Sequence, residues 1–560
     1  MAGGTTSALG RREGALMAWP NLGLAHRPAV TGARGAVASA HPLASLAGLT
    51  MLQQGGNAID AAVAIAATLN VVEPFMSGAG GVGYMVITTP GATAPVVLDY
   101  TGRAPAAATP DAFAEEGSKD DGIRSPLVPG AVAGWLAALE RYGSLDRATV
   151  FAPAIYYAEH GFPMTIKGHW FFSQWVERLR RWETSSRAYL HDGEAPQPGA
   201  ILRQPDLART FRLIVEGGVE VFYRGPIGAE IARFSQAHGG LLTEADLATY
   251  EPAWLEPIST DYRGYRVFCP PPPCSGIQYL ITLNILEGFD LAAMGQGSAD
   301  HIHYLAEAMK LAVADRATYA AAPNPPVASL LSKEYAALRR RLIDPERAGY
   351  SGGERFTSTK HPREILPGSP ESILRESTTH FVAIDAAGNA VACTQTLGGP
   401  FGCGIVHGNT GLALNNFAHW FDLDPASPNV IAPNKKVEMC LSPSQVWRDG
   451  RLFLMVGTPG SFGIMETTPQ MIINVLDHGF SIQAAIEAPR FRTLTGTELA
   501  IENRIDPAVV EELRRRGHDV QLLEPWTPFV GGGQGILIDP DTGAFFAGAD
   551  PRRDGYALAF

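Results

Sequence analysis

Three hydroxyl side chains in a row, Ser377-Thr378-Thr379, stand directly before the strand-like run FVAID. In one interpretation this is ordinary backbone chemistry, because Thr favours strands and Ser favours turns. In the other, a hydroxyl is stored there as a nucleophile. A cut before Thr378 would give this residue an α-amine with a pKa of about 8, which suits a general base within reach of its own Oγ. One cleavage would then create the nucleophile and its base together.

The segment before these hydroxyls favours such a cut. Residues 350–377 lose hydrophobic periodicity and fill with Ser, Gly, Pro and charged residues, as expected of an exposed connector. Residues 1–34 are rich in Gly, Ala and Arg and predict a mobile lead-in, with folded structure starting near Gly35. We therefore expect a lead-in (1–34), a part from 35 to 377 that ends in the connector, and a part from 378 to 560.

A glycine-rich segment offers a competing function. Residues 78–83, GAGGVG, match the G-x-G-x-x-G pattern of dinucleotide-binding proteins. In that pattern a strand precedes the glycines and a helix follows, whereas here the order is reversed. The segment therefore predicts a close-packed turn from a helix to a strand, and no nucleotide cofactor is expected.

A second competing function is metal binding at Asp300, His301, His303 and Glu307. On a helix His303 and Glu307 share a face, but His301 points away from His303. The pattern favours a structural helix, and neither an H-E-x-x-H motif nor a C-x-x-C pair occurs elsewhere. We expect no metal.

Composition excludes several further classes. The net charge of -12 and a pI of about 5.6 argue against a nucleic-acid partner. The longest apolar run, residues 61–72, is too short for a bilayer, so no membrane partner is expected. The five cysteines are too scattered for a disulfide framework, and residues 1–24 lack the pattern of an export signal. A cytoplasmic location is expected.

The elements that must position the hydroxyls change along the chain. His41-Pro42 predicts the start of one helix, Asn57 caps a second apolar one, and YMVITT and PVVLDY predict a hairpin before a long, mostly helical stretch to about residue 345. After 378 three segments repeat a strand, a tight turn and a strand: FVAID-AAGN-AVACTQT, SQVW-RDG-RLFLMV and GILID-PDTG-AFFAGA. Helical runs lie between the last two. The sequence therefore predicts an α/β fold, a four-layer α/β/β/α sandwich with two central antiparallel sheets.

Sequence blocks along most of the chain resemble the γ-glutamyltransferase (γ-glutamyltranspeptidase) family of N-terminal-nucleophile (Ntn) hydrolases. In the first part they are GGNAIDAAVAIAATLNVVEP, GAGGVGYM, VPGAVAGW, GGLLTEADLATYEPAWLEPISTDYRGYRV and PPPPCSG. In the second part they are TTHFVAIDAAGNAVACTQTL, FGCGIV, GLALNN, LSPS, GTPGS and EAPRFR. The resemblance spans about residues 35 to 560 and implies the Ntn-hydrolase sandwich.

The resemblance also implies roles for particular residues. Autocatalytic cleavage between Ser377 and Thr378 would give chains of 377 and 183 residues, from a total of 560, which form a heterodimer. Thr378 would attack an amide carbonyl and form an acyl-threonine, with the Thr396 hydroxyl supporting it. The backbone N–H groups of Gly460 and Ser461 would form the oxyanion hole.

Several positions depart from the family pattern. After Asn415-Asn416, Phe417 and Trp420 stand where the family has a Gln and an Asp, and Met439-Cys440 replace its Ser-Ser pair. Gly398 replaces the Asn that follows T-x-T-L. Thr101 stands at the position of the Arg that binds the substrate carboxylate, and Arg103 is the nearest arginine that could replace it. The missing groups hold the α-ammonium and α-carboxylate of a γ-glutamyl unit. With Asn416 retained, these residues predict a pocket for an apolar, aromatic or monoanionic acyl group, as in the cephalosporin-acylase and amidohydrolase branches.

Two alternatives to a non-glutamyl amidohydrolase acting on a small-molecule amide remain open from the sequence. One is a γ-glutamyltransferase or glutathione hydrolase. The other is an unprocessed, inactive family member that acts as a scaffold.

Overall fold

A computed structural model describes residues 25–115, 117–349, 377–494 and 496–560. Most of the expected lead-in (1–24) and nearly all of the expected connector (350–376) lie outside the described residues. Among the helices of the described ranges, none has both the length and the apolar character that crossing a bilayer requires.

The described residues form nineteen strands and eighteen α-helices. The strands are β1 (Val30–Gly32), β2 (Gly35–Ser39), β3 (Val82–Thr88), β4 (Val96–Asp99), β5 (Phe162–Pro163), β6 (Ile201–Leu202), β7 (Ala253–Leu255), β8 (Ile258–Tyr262), β9 (Tyr265–Cys269), β10 (Ser377–Asp385), β11 (Ala390–Gly398), β12 (Ser444–Arg448), β13 (Arg451–Gly457), β14 (Phe491–Thr493), β15 (Glu498–Glu502), β16 (Asp519–Leu523), β17 (Gln534–Ile538), β18 (Phe545–Ala549) and β19 (Tyr556–Ala559). The helices are α1 (Pro42–Gln53), α2 (Ala58–Val72), α3 (Ala131–Tyr142), α4 (Arg147–His160), α5 (Ile166–Ser173), α6 (Val176–Arg180), α7 (Glu183–Tyr189), α8 (Pro205–Tyr223), α9 (Pro226–Ala237), α10 (Glu244–Ala248), α11 (Ile277–Leu286), α12 (Leu291–Met294), α13 (Ala299–Tyr319), α14 (Val327–Leu330), α15 (Lys333–Arg340), α16 (Ile464–Leu476), α17 (Ile482–Glu487) and α18 (Pro507–Arg515).

Two seven-stranded antiparallel sheets lie face to face at the centre. The first has the order β19-β2-β10-β11-β3-β4-β7 and the second the order β1-β18-β17-β13-β12-β9-β8. Helices α1 and α2 pack on the outside of the first sheet, with α4 behind α2, and α11, α16 and α17 pack on the outside of the second. The interface between the sheets is filled by small and aliphatic side chains such as Ala38, Val382 and Met455. The predicted four-layer α/β/β/α sandwich is confirmed.

The helices next to the first sheet follow the sequence pattern closely. His41 caps α1, and Asn57 caps α2 in a reciprocal capping box with Asp60. All fifteen residues of α2 are buried, as its lack of a polar face predicts. This helix lies against β10 and β11 and so forms the floor under the strands that carry the hydroxyl residues.

The predicted hairpins are also confirmed: β3 with β4, β10 with β11, β12 with β13, and β17 with β18 all pair antiparallel. The stretch before 345 is mostly helical, as predicted, but it also contributes strands that the sequence did not reveal: β7 and β8 form one edge of each sheet, and β9 lies between β8 and β12. Strand β1, just before Gly35, pairs with β18.

Candidate active site

The three hydroxyl residues begin β10, and the chain is continuous across the bond between Ser377 and Thr378. Ser377 pairs with Gly398 of β11, while Thr379 pairs with Gln395, so a bulge lies opposite Thr378. Bulges commonly re-aim a side chain beside an active site. Thr378 is 2% exposed, and its Oγ1 donates a hydrogen bond of 2.7 Å to the carbonyl oxygen of Ser377.

Thr396 meets the same carbonyl from the neighbouring strand. Its hydroxyl donates to the oxygen of Ser377 and accepts a hydrogen bond of 2.8 Å from the backbone N–H of Gly398. The N–H donor fixes the hydroxyl, so its hydrogen points at the carbonyl. The bond before Thr378 is thus polarised by a preorganised donor, as an oxyanion stabiliser requires.

The GTPGS turn follows β13 in the second sheet. Gly460 (φ +128°) and Ser461 (φ +51°) both adopt positive φ, which is uncommon for a serine. Within the described residues, neither backbone N–H donates a hydrogen bond to a protein acceptor. The turn is tied to the Gly531–Gly532 segment, because Thr458 Oγ1 accepts from the N–H of Gly532 at 2.9 Å. Two backbone donors are therefore available for an oxyanion.

Close packing brings this turn towards β10. At Gly457, where β13 ends, an added Cβ would collide with the imidazole ring of His380. The ring Nδ1 of His380 lies 2.8 Å from the hydroxyl of Thr394, and burial lowers the pKa of His380 to about 3. A neutral histidine two residues after Thr378 thus spaces the two sheets.

Gly398, the partner of Ser377 in β11, lies beside an aromatic wall formed by Phe417 and Trp420. Gly398 has φ +99°, and an added Cβ would collide with Asn416 Oδ1 and come within 3.2 Å of Trp420 Cζ3. Asn416 Oδ1 accepts from Gly399 N at 2.7 Å. The rings of Phe417 and Trp420 are 4.7 Å apart. Three of the substituted positions, Gly398, Phe417 and Trp420, therefore lie together, and the glycine leaves room for the aromatic ring.

A loop from the first part of the chain holds this wall in place. Lys119 Nζ donates to the carbonyl oxygens of His419 (2.7 Å) and Phe421 (2.9 Å). Asp120 accepts from Asn416 Nδ2 through its backbone oxygen at 2.9 Å, and its carboxylate lies 2.7 Å from His419 Nδ1. The sequence did not reveal the role of this loop, because its partners are about 300 positions away in the chain.

Met439 and Cys440 belong to the same buried hydrophobic cluster as Phe417 and Trp420. The backbone of Met439 pairs with the segment around Cys274. The preceding residue, Glu438, forms a buried ion pair of 2.9 Å with Arg316.

The ion pair links this wall to the GTPGS turn. The guanidinium of Arg316 lies 4.6 Å from the centre of the Phe462 ring, next to Ser461. Burial raises the pKa of Glu438, and Arg316 opposes the rise. Neither residue was singled out in the sequence.

The side chain of Arg103 is held by residues of α10 and of the turn that follows it. Its Nη2 donates to Thr249 Oγ1 at 2.5 Å and to the backbone oxygen of Asp246 at 3.3 Å. The hydroxyl of Thr101 donates to Asp99 at 2.6 Å. The described side-chain hydrogen bonds of Arg103 are thus made with the α10 region, and none of them joins the guanidinium to the residues around Thr378.

Two segments outside the Thr378 region also match or extend the sequence analysis. Residues 78–83 form the predicted close-packed turn between α2 and β3, where an added Cβ at Gly81 would collide with the backbone oxygen of Thr396. His303 and Glu307 do meet on α13, and His518 joins them, with potential ligand atoms within 4.8 Å of one another. His303 Nδ1 lies 2.8 Å from His518 Nε2, and Lys310 pairs with Glu307 at 2.8 Å.

Comparison with known proteins places this geometry in a family. A sequence model described as Gamma-glutamyltranspeptidase matches residues 44–560. The acylase ACY 1 proenzyme of Pseudomonas sp. (strain V22) is 40% identical over 551 residues, covering 94% of each chain. The glutathione hydrolase proenzyme of Escherichia coli (strain K12) is 36% identical over 541 residues, covering 93% of this chain and 90% of the relative.

Among solved structures, a cephalosporin acylase from Bacillus halodurans superimposes with a TM-score of 0.87 at 35% identity, covering 95% of this chain and 97% of the other. The agreement in sequence and fold thus extends over nearly the whole length of both proteins. The chain therefore belongs to the gamma-glutamyltranspeptidase family and is an Ntn-type enzyme that hydrolyses or transfers amide-bound acyl groups.

Proposed function

We propose that the protein is a self-processing amidohydrolase with Thr378 as its nucleophile, and that it removes an apolar, aromatic or monoanionic acyl group from a small-molecule amide. The wall beside Gly398 carries the proposal on the acyl group: the side chains of Phe417 and Trp420, which replace the family's polar groups, are uncharged and buried.

The self-processing step follows from the contacts at Ser377. Thr378 Oγ attacks the carbonyl carbon of Ser377 through a five-membered ring, so an ester C–O bond forms as the peptide C–N bond breaks. The hydroxyl proton passes to the departing nitrogen of Thr378. Water then hydrolyses the ester and leaves a carboxylate on Ser377 and a free amine on Thr378. Thr396 stabilises the oxyanion, because its hydroxyl already donates to that oxygen.

Turnover uses the same hydroxyl with its new base. The α-amine of Thr378 takes the proton from Oγ as Oγ attacks the substrate amide, and then gives this proton to the leaving amine. Water or an acceptor amine resolves the resulting acyl-threonine. The N–H groups of Gly460 and Ser461 receive the oxyanion. Loss of one such donor typically raises the barrier by about 3 kcal/mol.

The acyl preference follows from charge. A γ-glutamyl group carries an ammonium and a carboxylate, and each charged hydrogen bond that the pocket fails to supply removes about 1.5–3 kcal/mol. Phe417 and Trp420 instead offer apolar area and ring faces. The names of the Pseudomonas acylase and the Bacillus halodurans cephalosporin acylase support this preference. The Escherichia coli glutathione hydrolase represents the alternative.

The two products of self-processing should remain one heterodimer. The first sheet alternates strands from the two sides of the cut, with β2 and β3 flanking the β10–β11 hairpin. The second sheet joins β9 to β12 in the same way. Separation would break both sheets, so we infer that the pieces stay together without a covalent link.

A panel of anilides with one common leaving group tests the acyl preference. We expect kcat/KM for phenylacetyl, aliphatic and glutaryl anilides to exceed that for the γ-glutamyl anilide by at least about a hundredfold, the lower limit that two missing charged contacts of about 1.5–3 kcal/mol each imply. Trp420→Leu should reduce the rate with the aromatic acyl group most. Trp182→Leu is the matched control, because Trp182 contacts Phe234 and His238 away from this wall.

A γ-glutamyl anilide hydrolysed fastest would contradict the acyl assignment and favour the glutathione hydrolase alternative. An uncut chain without activity on any anilide would favour the scaffold alternative.

A further inference from the structure

The C-terminal turn of the chain, residues 550–555, is fastened on several sides. Asp550 pairs with Arg490 at 2.5 Å inside the protein. Lys167 of α5 donates to the backbone oxygen of Arg553 at 2.9 Å, and Thr165 donates to the carboxylate of Asp554 at 2.5 Å. The turn is therefore a rigid platform.

This platform directs one cation at the nucleophile. Arg553 is 3% exposed, and its Nη1 donates a 2.9 Å hydrogen bond to the backbone oxygen of Thr378. Strand β2 pairs with β10 only from Val382 to Asp385. At Thr378, beyond this pairing, the guanidinium supplies the hydrogen bond to the backbone oxygen. The side chain passes Gly532, where an added Cβ would lie 2.7 Å from Arg553 Cδ. The contact is thus shaped by the fold.

A buried carboxylate faces the same segment from the other element. Glu73 ends α2, is 4% exposed, and its Oε2 accepts from the hydroxyl of Thr379 at 3.4 Å. Burial raises the pKa of Glu73 to about 7, while the charge of Arg553 opposes the rise and that of Asp554 adds to it. The carboxylate of Glu73 and the guanidinium of Arg553 thus each contact one residue of the Thr378–Thr379 pair.

Among the described residues, two further titratable groups lie near Thr378. Lys167 stands behind the turn and donates to its carbonyls. His380, on the same strand, is neutral because burial lowers its pKa to about 3. The charged groups that the described contacts place at Thr378 and Thr379 are Arg553 and Glu73, and the charge of Asp554 acts on Glu73.

We propose that Arg553 is a positioning residue for Thr378: it holds the nucleophile's carbonyl and keeps the α-amine released by cleavage in its neutral, proton-accepting form, with Glu73 as the opposing buried charge. The inference rests on the proposed role of Thr378 as nucleophile.

The physical reason is the short distance within one residue. The carbonyl oxygen and the amine of Thr378 are separated only by the backbone atoms of that residue, so the guanidinium lies within about 7 Å of the amine. A nearby cation disfavours an ammonium, and a nearby carboxylate favours it. A general base must be neutral to accept the Oγ proton.

The test is the pH dependence of kcat/KM for the processed enzyme, with the best anilide of the panel. Arg553→Gln should move the acidic limb of the profile up by about one pH unit. Arg553→Lys keeps the positive charge and should leave the limb close to its wild-type position. Glu73→Gln should move the same limb down. These opposite directions would not result from a general loss of packing.

Arg27→Gln is the matched control, because Arg27 Nη1 donates to Gly555 in the same turn at 2.7 Å without a described contact to Thr378. An unchanged limb in Arg553→Gln, or an equal shift in Arg27→Gln, would overturn the inference.

If Arg553→Gln does not fold or process, Glu73→Gln decides, and an unshifted limb in that variant rejects the inference. Thr378→Ala separates the two proposals. Activity in that variant would reject the nucleophile itself, whereas inactivity together with unshifted limbs would reject only the role of Arg553.

Discussion

At the scale of single residues, the carbonyl oxygen of Ser377 is the point where two hydroxyls converge. In the proposed mechanism Thr378 supplies the group that attacks, and Thr396 supplies a donor that is already fixed by the N–H of Gly398. The two threonines would then act differently. Thr378 would gain its reactivity from the amine that cleavage creates, whereas Thr396 would act through a hydrogen bond that exists before cleavage.

Thr396→Val should slow self-cleavage about a hundredfold, because one preformed oxyanion donor is lost while the size of the side chain is kept. Thr396→Ser should cleave at nearly the wild-type rate. The rate is measured by following the uncut chain on denaturing gels after synthesis.

Thr394→Val controls for a buried methyl group on the same strand, because the Thr394 hydroxyl bonds to His380 and not to Ser377. Equal cleavage rates in Thr396→Val and Thr394→Val would argue against the donor role.

At the scale of elements, the end of the β10–β11 hairpin is shaped by a bulge and a glycine. The bulge lies opposite Thr378, and Gly398 closes the pairing with positive φ. The space in front of Gly398 is filled by Asn416 and the Trp420 ring. A side chain at 398 would collide with Asn416 and crowd the ring of Trp420, so a glycine at 398 is compatible with an aromatic ring at 420.

Gly398→Ala should destabilise the uncleaved Thr378→Ala chain more than Gly543→Ala does. Both glycines have positive φ, but Gly543 has open space around it, so the difference isolates the collision with Asn416. We expect an extra loss of about 1–3 kcal/mol in the free energy of unfolding, measured from urea transitions. Equal losses would show that the space beside Trp420 is larger than the structure indicates.

The sequence predicts elements whose signals are local. The cap at Asn57, the apolar character of α2 and the strand–turn–strand repeats after 378 all depend on neighbouring residues. Strands β7 to β9 were missed, because their places depend on distant partners; β9, for example, pairs with β12, far away in the chain. The proposed nucleophile followed from family blocks, whereas Arg553 and Glu73 were missed because their contacts with β10 span 175 and 306 positions.

At the scale of the whole molecule, the proposed cut falls at the start of a strand whose sheet contains residues from both sides of the cut. The two strands next to the β10–β11 hairpin, β2 and β3, come from before residue 377. In the proposed mechanism the fold forms before the bond is broken, because the Thr396 donor, the bulge and Arg553 meet Ser377 and Thr378 only in the folded chain. We therefore expect self-cleavage only in correctly folded chains.

The central claim is that Thr378 becomes an N-terminal nucleophile, and intact-mass spectrometry of the purified, denatured protein tests it most directly. We predict two chains from the 560 residues, the smaller with 183 residues and Thr378 at its start, and a single uncut chain for Thr378→Ala. After brief incubation with a slowly turned-over acyl substrate, the smaller chain alone should gain the mass of the acyl group. An active enzyme that remains one uncut chain, or that is cut at another bond, would contradict the account.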